Sequence, residues 1–443
     1  TEQREARVAA EIDDRGGALV HWLIAGRFGL GKRGKTLTLT RGDFNDVIEK
    51  LGLRVDANVR DSVGSSDSVR VSLKIDSLKD LTIKHIVGAV PELTDLAAKA
   101  ERIAKLKDPS VDSLREILGE GKLLDSMKAV LAPDEAPKAV ASTPATGDSD
   151  AIFEKGAVQK ATPKSAISAF VKATSSSTTK KARPAARELR DLAEGAVWGM
   201  AADVLRSAEV QSMEQAWRGL RFLVTQCPKD AKMNVVVLET DLEHVLEDLQ
   251  ARDRAEDIDE PECIFIPHDF GSVEPLAALA DMAEQELIPI VIGAAPGLFG
   301  CEHPQEIPDA FDALGRAHND EPPEWPEKWN ELRARESSRF LCAVANRVAL
   351  HTEGSGAAAR TVFGSGVWAI AAMLARSFRE SGGFAQIFGK AGSLSAPAIH
   401  TLDRGSYADT AAPTEGFYPI AAAETLARNG VLGLSAARNS DAI

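Results

Sequence analysis

The sequence is poor in aromatic residues and in cysteines. Aromatic side chains make up 5% of its 443 residues, and only two of them are tyrosines, so aliphatic side chains must fill most of the core. The four cysteines are Cys227, Cys263, Cys301 and Cys342, and none belongs to a Cys-x-x-Cys pair. This spacing argues against a zinc knuckle or a redox dithiol and favours reduced thiols in a cytoplasmic protein.

Long apolar runs and an excess of basic charge are missing as well. No run approaches the ~20 apolar residues that a bilayer span needs, and the charged residues 1–5 are unlike the start of a signal peptide. We therefore expect no membrane insertion and a cytoplasmic location. The net charge of -14 argues against a nucleic-acid partner, whose binding face on the protein would be basic. A chain of this length is expected to form two or three domains.

Strand patterns dominate the first hundred residues. Residues 19–25 are apolar on both faces, which predicts a buried strand, whereas residues 36–40 alternate as a half-buried strand does. A second alternation, over residues 69–75, places four apolar side chains on one face: Val69, Val71, Leu73 and Ile75.

Helical patterns follow these strands. They cover residues 41–51, with Gly42 or Asp43 as the cap, and most of residues 81–131. Ser77, with Asp80 three residues later, has the spacing of a capping box and predicts a helix start there.

A glycine-rich loop between the first two strands matches a nucleotide-binding motif. Gly29, Gly34, Lys35 and Thr36 satisfy G-x-x-x-x-G-K-[ST]. A P-loop requires a helix that opens at the Lys-Thr pair, but the alternation after Thr36 predicts a strand. We therefore expect a hairpin with a basic tip, and keep a P-loop nucleotide-binding protein as the alternative.

The composition changes abruptly at residues 132–182. Proline, alanine, serine, threonine and lysine dominate this stretch, which predicts a flexible linker. The sequence is basic from Lys155 to Arg190, against an acidic remainder. Two apolar islands interrupt the linker, at residues 151–153 and 166–171.

The second half reads as alternating helices and strands. A helix is predicted over residues 184–205, and a second carries A-W-R-G-L at residues 216–220 with Trp217 and Leu220 on its apolar face. Residues 233–238 form an almost wholly apolar run, as in a strand buried on both faces. Further strands are predicted near residues 263–266 and 287–292, with a helix between them. The fold class is therefore mixed α/β.

Three groups of motifs carry a resemblance to a known family. The A-W-R-G-L helix followed by a buried strand resembles the start of the large sheath subunit of bacterial type VI secretion. Three stretches resemble the small sheath subunit: R-G-D-F-N-D-V-I-E-K-L (residues 41–51), V-S-L-K-I-D-S-L-K-D-L (71–81) and V-P-E-L-T-D-L (90–96). Looser matches to the large subunit follow in order at residues 267–271, 290–300 and 413–415.

The resemblance predicts two sheath subunits joined in one chain. A small-subunit-like module would span residues 1–131, the linker residues 132–182, and a large-subunit-like module residues 183–443. The family's large subunit continues beyond the region that matches this chain, so the resemblance implies a C-terminally truncated large part and puts contraction in question. A non-contractile capping or shell-forming relative is therefore a further interpretation.

The function implied by the resemblance is structural. Copies of the chain would assemble into a helical tube or ring, without a cofactor and without enzymatic activity. The expected partners are other copies, an inner tube protein and an AAA+ recycling unfoldase, with Ile152 and Phe153 as the handle that the unfoldase grips. The interface candidates are Trp217, Arg218 and Leu220 on the helix, together with Val69, Val71, Leu73 and Ile75 on the strand. Residues 36–40 are a second candidate sheet edge.

Catalytic and metal-binding patterns are weak. His268 and Asp269 are adjacent, but neighbouring residues of a strand point to opposite faces. Cys301 and His303 would supply two ligands, where a structural zinc site usually has four. No catalytic residue and no metal site is predicted.

Overall fold

The computed structural model describes residues 19–106, 108–131, 184–229, 232–252, 260–314, 324–354, 359–385, 387, 392–402 and 410–443. Its strands are β1 (Val20–Gly26), β2 (Thr36–Leu39), β3 (Leu53–Arg60), β4 (Ser68–Ile75), β5 (Met233–Glu239), β6 (Cys263–Phe270), β7 (Ile290–Ala294), β8 (Leu341–Ala345), β9 (Arg347–Glu353), β10 (Arg360–Ser365), β11 (His400–Leu402), β12 (Thr410–Ala412) and β13 (Val431–Gly433). Its α-helices are α1 (Phe44–Leu51), α2 (Ile83–Ala89), α3 (Pro91–Ala104), α4 (Val111–Leu118), α5 (Lys122–Leu131), α6 (Pro184–Arg206), α7 (Ala208–Gln226), α8 (Val245–Arg252), α9 (Glu274–Glu286), α10 (Ile307–Leu314), α11 (Trp325–Ala334), α12 (Val367–Ser381) and α13 (Ile420–Arg428).

One seven-stranded sheet organises the molecule. Its order is β13-β8-β7-β6-β1-β5-β2, and neighbouring strands are parallel except β2, which is antiparallel to β5. β1 therefore lies inside a sheet whose other strands, except the edge strand β2, come from the second half of the chain. Trp22 of β1 is in register with Val235 on one side and with Cys263 on the other.

The central strands are buried on both faces because both faces are covered by packed elements. Trp22 and Ile24 of β1 belong to one hydrophobic core, and the alternate residues Leu23 and Ala25 belong to a second core on the opposite face. The side chains of β5 likewise alternate between these two cores. This explains the unbroken apolar runs, which are typical of parallel strands covered on both sides.

Helices α7 and α12 pack against each other over the first of these cores. Trp217 of α7 and Trp368 of α12 are both almost wholly buried there. The predicted helices at residues 184–205 and around A-W-R-G-L are confirmed as α6 and α7.

The β3–β4 hairpin forms a separate two-stranded sheet with all eight residue pairs in register from Leu53–Ile75 to Arg60–Ser68. β3 alternates buried and exposed residues without interruption. It was not predicted, because its polar positions include Asp56 and Asn58, which are uncommon in strands.

Two predicted boundaries are wrong. The carboxylate of Asp80 accepts hydrogen bonds from the N–H groups of Asp76 and Ser77 (2.9 and 2.8 Å). The bonds stabilise a turn, and α2 begins only at Ile83. Leu287 adopts a left-handed conformation that ends α9, so the following strand starts at Ile290.

Among the described residues, no helix combines the length and the apolar character needed to cross a membrane.

Candidate assembly interfaces

The two halves of the chain share a buried aromatic contact around Trp217. The indole N–H of Trp217 donates to the carbonyl oxygen of Phe28 (3.0 Å). The Phe28 and Phe44 rings meet the indole edge-on, with centroids 6.1 and 5.9 Å away. Edge-on packing is favourable for aromatic pairs, and it fixes the loop after β1 and the start of α1 against α7.

A buried cluster of charges forms a second contact between the halves. The Arg360 guanidinium donates to both carboxylate oxygens of Glu214 (2.6 and 3.0 Å) and to Glu353 (2.8 Å). The side chains of Arg360 and Glu214 are 4% and 0% exposed. Arg360 also donates to the carbonyl oxygen of Leu81 (3.0 Å), so the cluster holds the first half by its backbone.

Glu353 extends this cluster to the start of α2. Its carboxylate accepts a hydrogen bond from the backbone N–H of Ile83 (3.1 Å), which is one of the donors left unpaired at a helix N-terminus. Burial alone would raise the pKa of Glu353, but the nearby His351 imidazole (3.8 Å) and the charge of Arg360 lower it to about 2. Glu353 is therefore ionised at neutral pH, as a partner of a buried arginine must be.

These residues were not identified from the sequence. The polar residues around A-W-R-G-L predict a polar helix face that includes Glu214, yet Glu214 is fully buried. The sequence feature that could have indicated this buried charge cluster is Arg360, an isolated cation that precedes an apolar stretch. A buried cation requires a carboxylate partner, but nothing in the sequence says which one.

The side-chain interface candidates lie mostly inside the chain. Trp217 and Leu220 are 0% exposed, and Arg218 donates to Glu214 (2.6 Å) and to the Leu81 carbonyl (3.1 Å). Three of the four strand candidates, Val71, Leu73 and Ile75, are also buried, and Val69 is partly exposed. The buried side chains among them cannot contact a second copy, so an interface at these elements would use mainly other atoms.

Backbone edges provide such atoms. β2 and β13 end the seven-stranded sheet, and β3 and β4 pair only with each other among the described residues. Thr38 of β2 is exposed, and Thr36 and Leu37 are partly exposed. β2 confirms the strand predicted at residues 36–40, although β5 lies between it and β1, so the two do not form the expected hairpin.

The glycine-rich loop is held by a carboxylate. Both the Phe28 and the Leu30 N–H groups donate to the carboxylate of Glu239 at the end of β5 (2.9 and 3.0 Å). In a P-loop, backbone N–H groups of this kind bind phosphate. Here the chain's own carboxylate binds the two N–H groups that precede Gly31, and a strand follows Thr36 instead of a helix. Gly29, Gly34 and Lys35 are exposed in this loop.

The weak catalytic candidates lie in different surroundings. The register of β6 shifts between Ile266 and Asp269, and the Asp269 carboxylate faces Arg347 (3.3 Å). His268 borders a cleft of about 540 Å³ at the carboxyl ends of β1, β5 and β6, and burial lowers its pKa. Burial also raises the pKa of the Cys301 thiol to about 11. In the part of the chain that the structure describes, no three potential ligands cluster as a metal site would require.

The handle candidates Ile152 and Phe153 lie outside the described residues.

Two family models match separate parts of the chain. Residues 31–139 match the family described as "Type VI secretion system, VipA, VC_A0107 or Hcp2". Residues 262–443 match VipB, described as "EvpB/VC_A0108, tail sheath N-terminal domain". No curated protein matches the chain. The chain is a fused sheath protein of type VI secretion.

The families give the chain a structural role, that of a contractile sheath subunit. The P-loop and shell-forming alternatives are not favoured. Both matched ranges meet in the charge cluster, since Leu81 and Ile83 belong to the first and Glu353 and Arg360 to the second. The A-W-R-G-L helix and β1 lie outside both ranges, so their assignment to the large and small parts rests on the resemblance alone.

Proposed function

We propose that each chain is a preassembled pair of sheath subunits that polymerises into a helical tube. The observation that supports this most is the central position of β1 between β5 and β6. Because β1 lies in the middle of the sheet, the two parts must fold together before either can join a lattice. The boundaries we propose are those of the sequence: residues 1–131, 132–182 and 183–443.

Copies would join by adding strands at the open edges. The outer edge of β2 and the edges of the β3–β4 hairpin present backbone donors and acceptors that a neighbouring strand could pair with. This keeps residues 69–75 as an interface through their backbone, although most of their side chains are buried.

The test is assembly of the purified full chain, followed by sedimentation and negative-stain microscopy. Tubes are expected, and closed rings would exclude a helical lattice. Thr38→Lys places a charge on the edge of β2 and should reduce the pelleted fraction severalfold, since lysine at an edge blocks strand pairing. Gln250→Lys adds the same charge on the exposed side of α8 and should assemble normally. Equal assembly of the two variants would rule out the β2 edge.

We also propose two further partners, an inner tube protein and an AAA+ unfoldase. Residues 150–156 are the handle that we propose for the unfoldase. Deleting them should abolish unfoldase binding to assembled material and leave assembly intact. Unchanged binding would refute this assignment.

We further propose that the chain has no enzymatic activity and acts in the cytoplasm. A nucleotide titration of the wild type and of Lys35→Ala tests the first point. Specific binding that the substitution removes would argue for the P-loop alternative.

A further inference from the structure

Trp198 of α6 is exposed where the other tryptophans are not. Its side chain is 42% exposed, whereas Trp22, Trp217, Trp329 and Trp368 are at most 3% exposed and Trp325 is partly buried. A large apolar ring is costly to leave in water. The other apolar residues of α6 from Leu189 to Leu205 are buried or partly buried, so among them only Trp198 is exposed.

The surroundings of Trp198 leave room for another chain segment. The space beside Gly195 and Gly199 is open, since a Cβ atom at either glycine would meet nothing within 4 Å. Helical side chains lean toward the N-terminus, so the indole leans toward the preceding turn, which holds Glu194, and Asp191 lies one turn further on. We call Trp198, Gly195, Gly199, Asp191 and Glu194 the Trp198 face: an aromatic side chain with open space at the two glycines on one side of it and two carboxylates toward the N-terminus of the helix. Glu194 pairs with Arg190 (2.7 Å) at its border.

We propose that residues 164–172 of the same chain dock on the Trp198 face. This segment reads Lys-Ser-Ala-Ile-Ser-Ala-Phe-Val-Lys. Ile167, Phe170 and Val171 have the i, i+3, i+4 spacing that brings apolar side chains together in a helix. Lys164 and Lys172 at the ends of the segment are opposite in charge to the acidic residues of the Trp198 face.

The length of the intervening chain fits this contact. Val171 lies thirteen positions before Pro184, the first residue of α6, and such a tether has a root-mean-square reach of about 20 Å. Trp198 lies fourteen residues into the helix, about 21 Å along its axis. Effective concentration is highest when reach and span agree. The other end of the linker is close too, because α5, which ends at Leu131, packs against α6.

Photo-crosslinking of the full chain tests this proposal. The full chain that carries Phe170→p-benzoylphenylalanine is irradiated, digested with trypsin and analysed by mass spectrometry. The expected product links position 170 to the tryptic peptide of residues 191–206, which contains Trp198. Phe153→p-benzoylphenylalanine is the matched control, with the same probe in the other apolar island, and should give little of this product.

Variants of the face separate docking from chance proximity. In the Phe170 probe background, Trp198→Ser should lower the yield of the product about tenfold, as expected for loss of an aromatic anchor. Trp198→Tyr should retain most of it, and Asp191→Lys should reduce it. Because Trp198 is exposed, the thermal stability of these variants should match that of the wild type.

Mixing isotope-labelled and unlabelled chains identifies the occupant. Product formed within one chain supports the proposal. Product formed mainly between labelled and unlabelled chains would overturn it in favour of a second copy. Equal yields from positions 153 and 170, or a yield unaffected by Trp198→Ser, would overturn it as well. The proposal does not depend on tube formation, which is assayed separately.

Discussion

The two halves of the chain meet through two kinds of contact, one apolar and one ionic. The apolar contact places Trp22 and the rest of β1 inside the sheet and Trp217 against Phe28. The ionic contact clamps the backbone of Leu81 and Ile83 through Arg360 and Glu353. Burial of apolar area stabilises the fold directly. A buried ion pair gains little net stability but penalises every arrangement that separates its members. The first contact should therefore set stability, and the second should set how the halves are positioned.

The largest effect should follow from a change in the apolar contact. Trp22 is 1% exposed, so Trp22→Ala should lower the free energy of unfolding by about 4 kcal/mol. Both halves should still unfold in one transition, because β1 joins them. Chemical denaturation followed by both fluorescence and circular dichroism measures this.

The control for this change is Ile420→Ala. Ile420 is 72% exposed, so its substitution should change the free energy of unfolding by less than about 0.5 kcal/mol. Two separate transitions in the wild type would contradict a shared core.

The ionic contact should show a smaller but still large effect. Arg360→Met leaves Glu214 buried with Arg218 as its remaining partner (2.6 Å). We expect a loss of about 3 kcal/mol, the lower end for breaking a buried pair. The measurement is the same denaturation experiment.

A double variant sharpens the comparison. Adding Glu214→Gln to Arg360→Met removes a buried carboxylate that only Arg218 then compensates, so part of the lost stability should return. The free energy of unfolding of the double variant is compared with that of Arg360→Met. If Glu214→Gln lowers it further, by the full cost of losing another buried group, Glu214 does not act through Arg360.

The contrast between the contacts also explains what the sequence could predict. The apolar runs of β1 and β5 show that both strands are buried on both faces, and both were predicted. The pairing of β1 with β5 was not predicted, because apolar side chains do not specify which strand they lie beside. The rest of the first module and the linker also separate the two strands in sequence.

The candidate sites were predictable to a smaller extent. β2 was found from the alternation of Thr36 to Thr40, and it does lie at an edge. Glu214, Glu239 and Glu353 were missed, because their roles depend on partners distant in sequence. Trp217 and Leu220 were read as interface residues since an apolar helix face looks the same whether it packs on its own chain or on another.

The pH dependence of stability tests the ionic contact without removing a side chain. The pKa of Glu353 is about 2 in the folded chain and about 4.3 in an unfolded one. A depressed carboxyl pKa adds stability that is present above the unfolded value and is lost as the pH falls toward the folded value. Glu353 should therefore contribute about 3 kcal/mol at neutral pH, which is lost between about pH 4.5 and 2.

Glu353→Gln isolates this contribution. The free energy of unfolding, measured at pH 7, 4 and 3, should fall less steeply with acid in the variant than in the wild type. Glu120→Gln is the matched control, because Glu120 is exposed and pairs with Arg115 at the surface (2.8 Å). Parallel curves for Glu353→Gln and the wild type would argue against ionised Glu353 as a clamp.

The smallest effect should come from the rim of the apolar contact, where the two kinds of interaction overlap. The Arg221 guanidinium lies over the Phe44 ring, 5.2 Å from its centroid, and donates to the Asn45 side chain (2.7 Å). Exposed cation–π contacts are worth about 0.5–1 kcal/mol, so Arg221→Gln should cost no more than this. Arg221→Lys should retain part of the cation–π energy, since lysine keeps the charge but not the planar group. A loss above about 2 kcal/mol for Arg221→Gln would mean that charge contributes to stability at this junction as well as to positioning, and the division between the two contacts would fail.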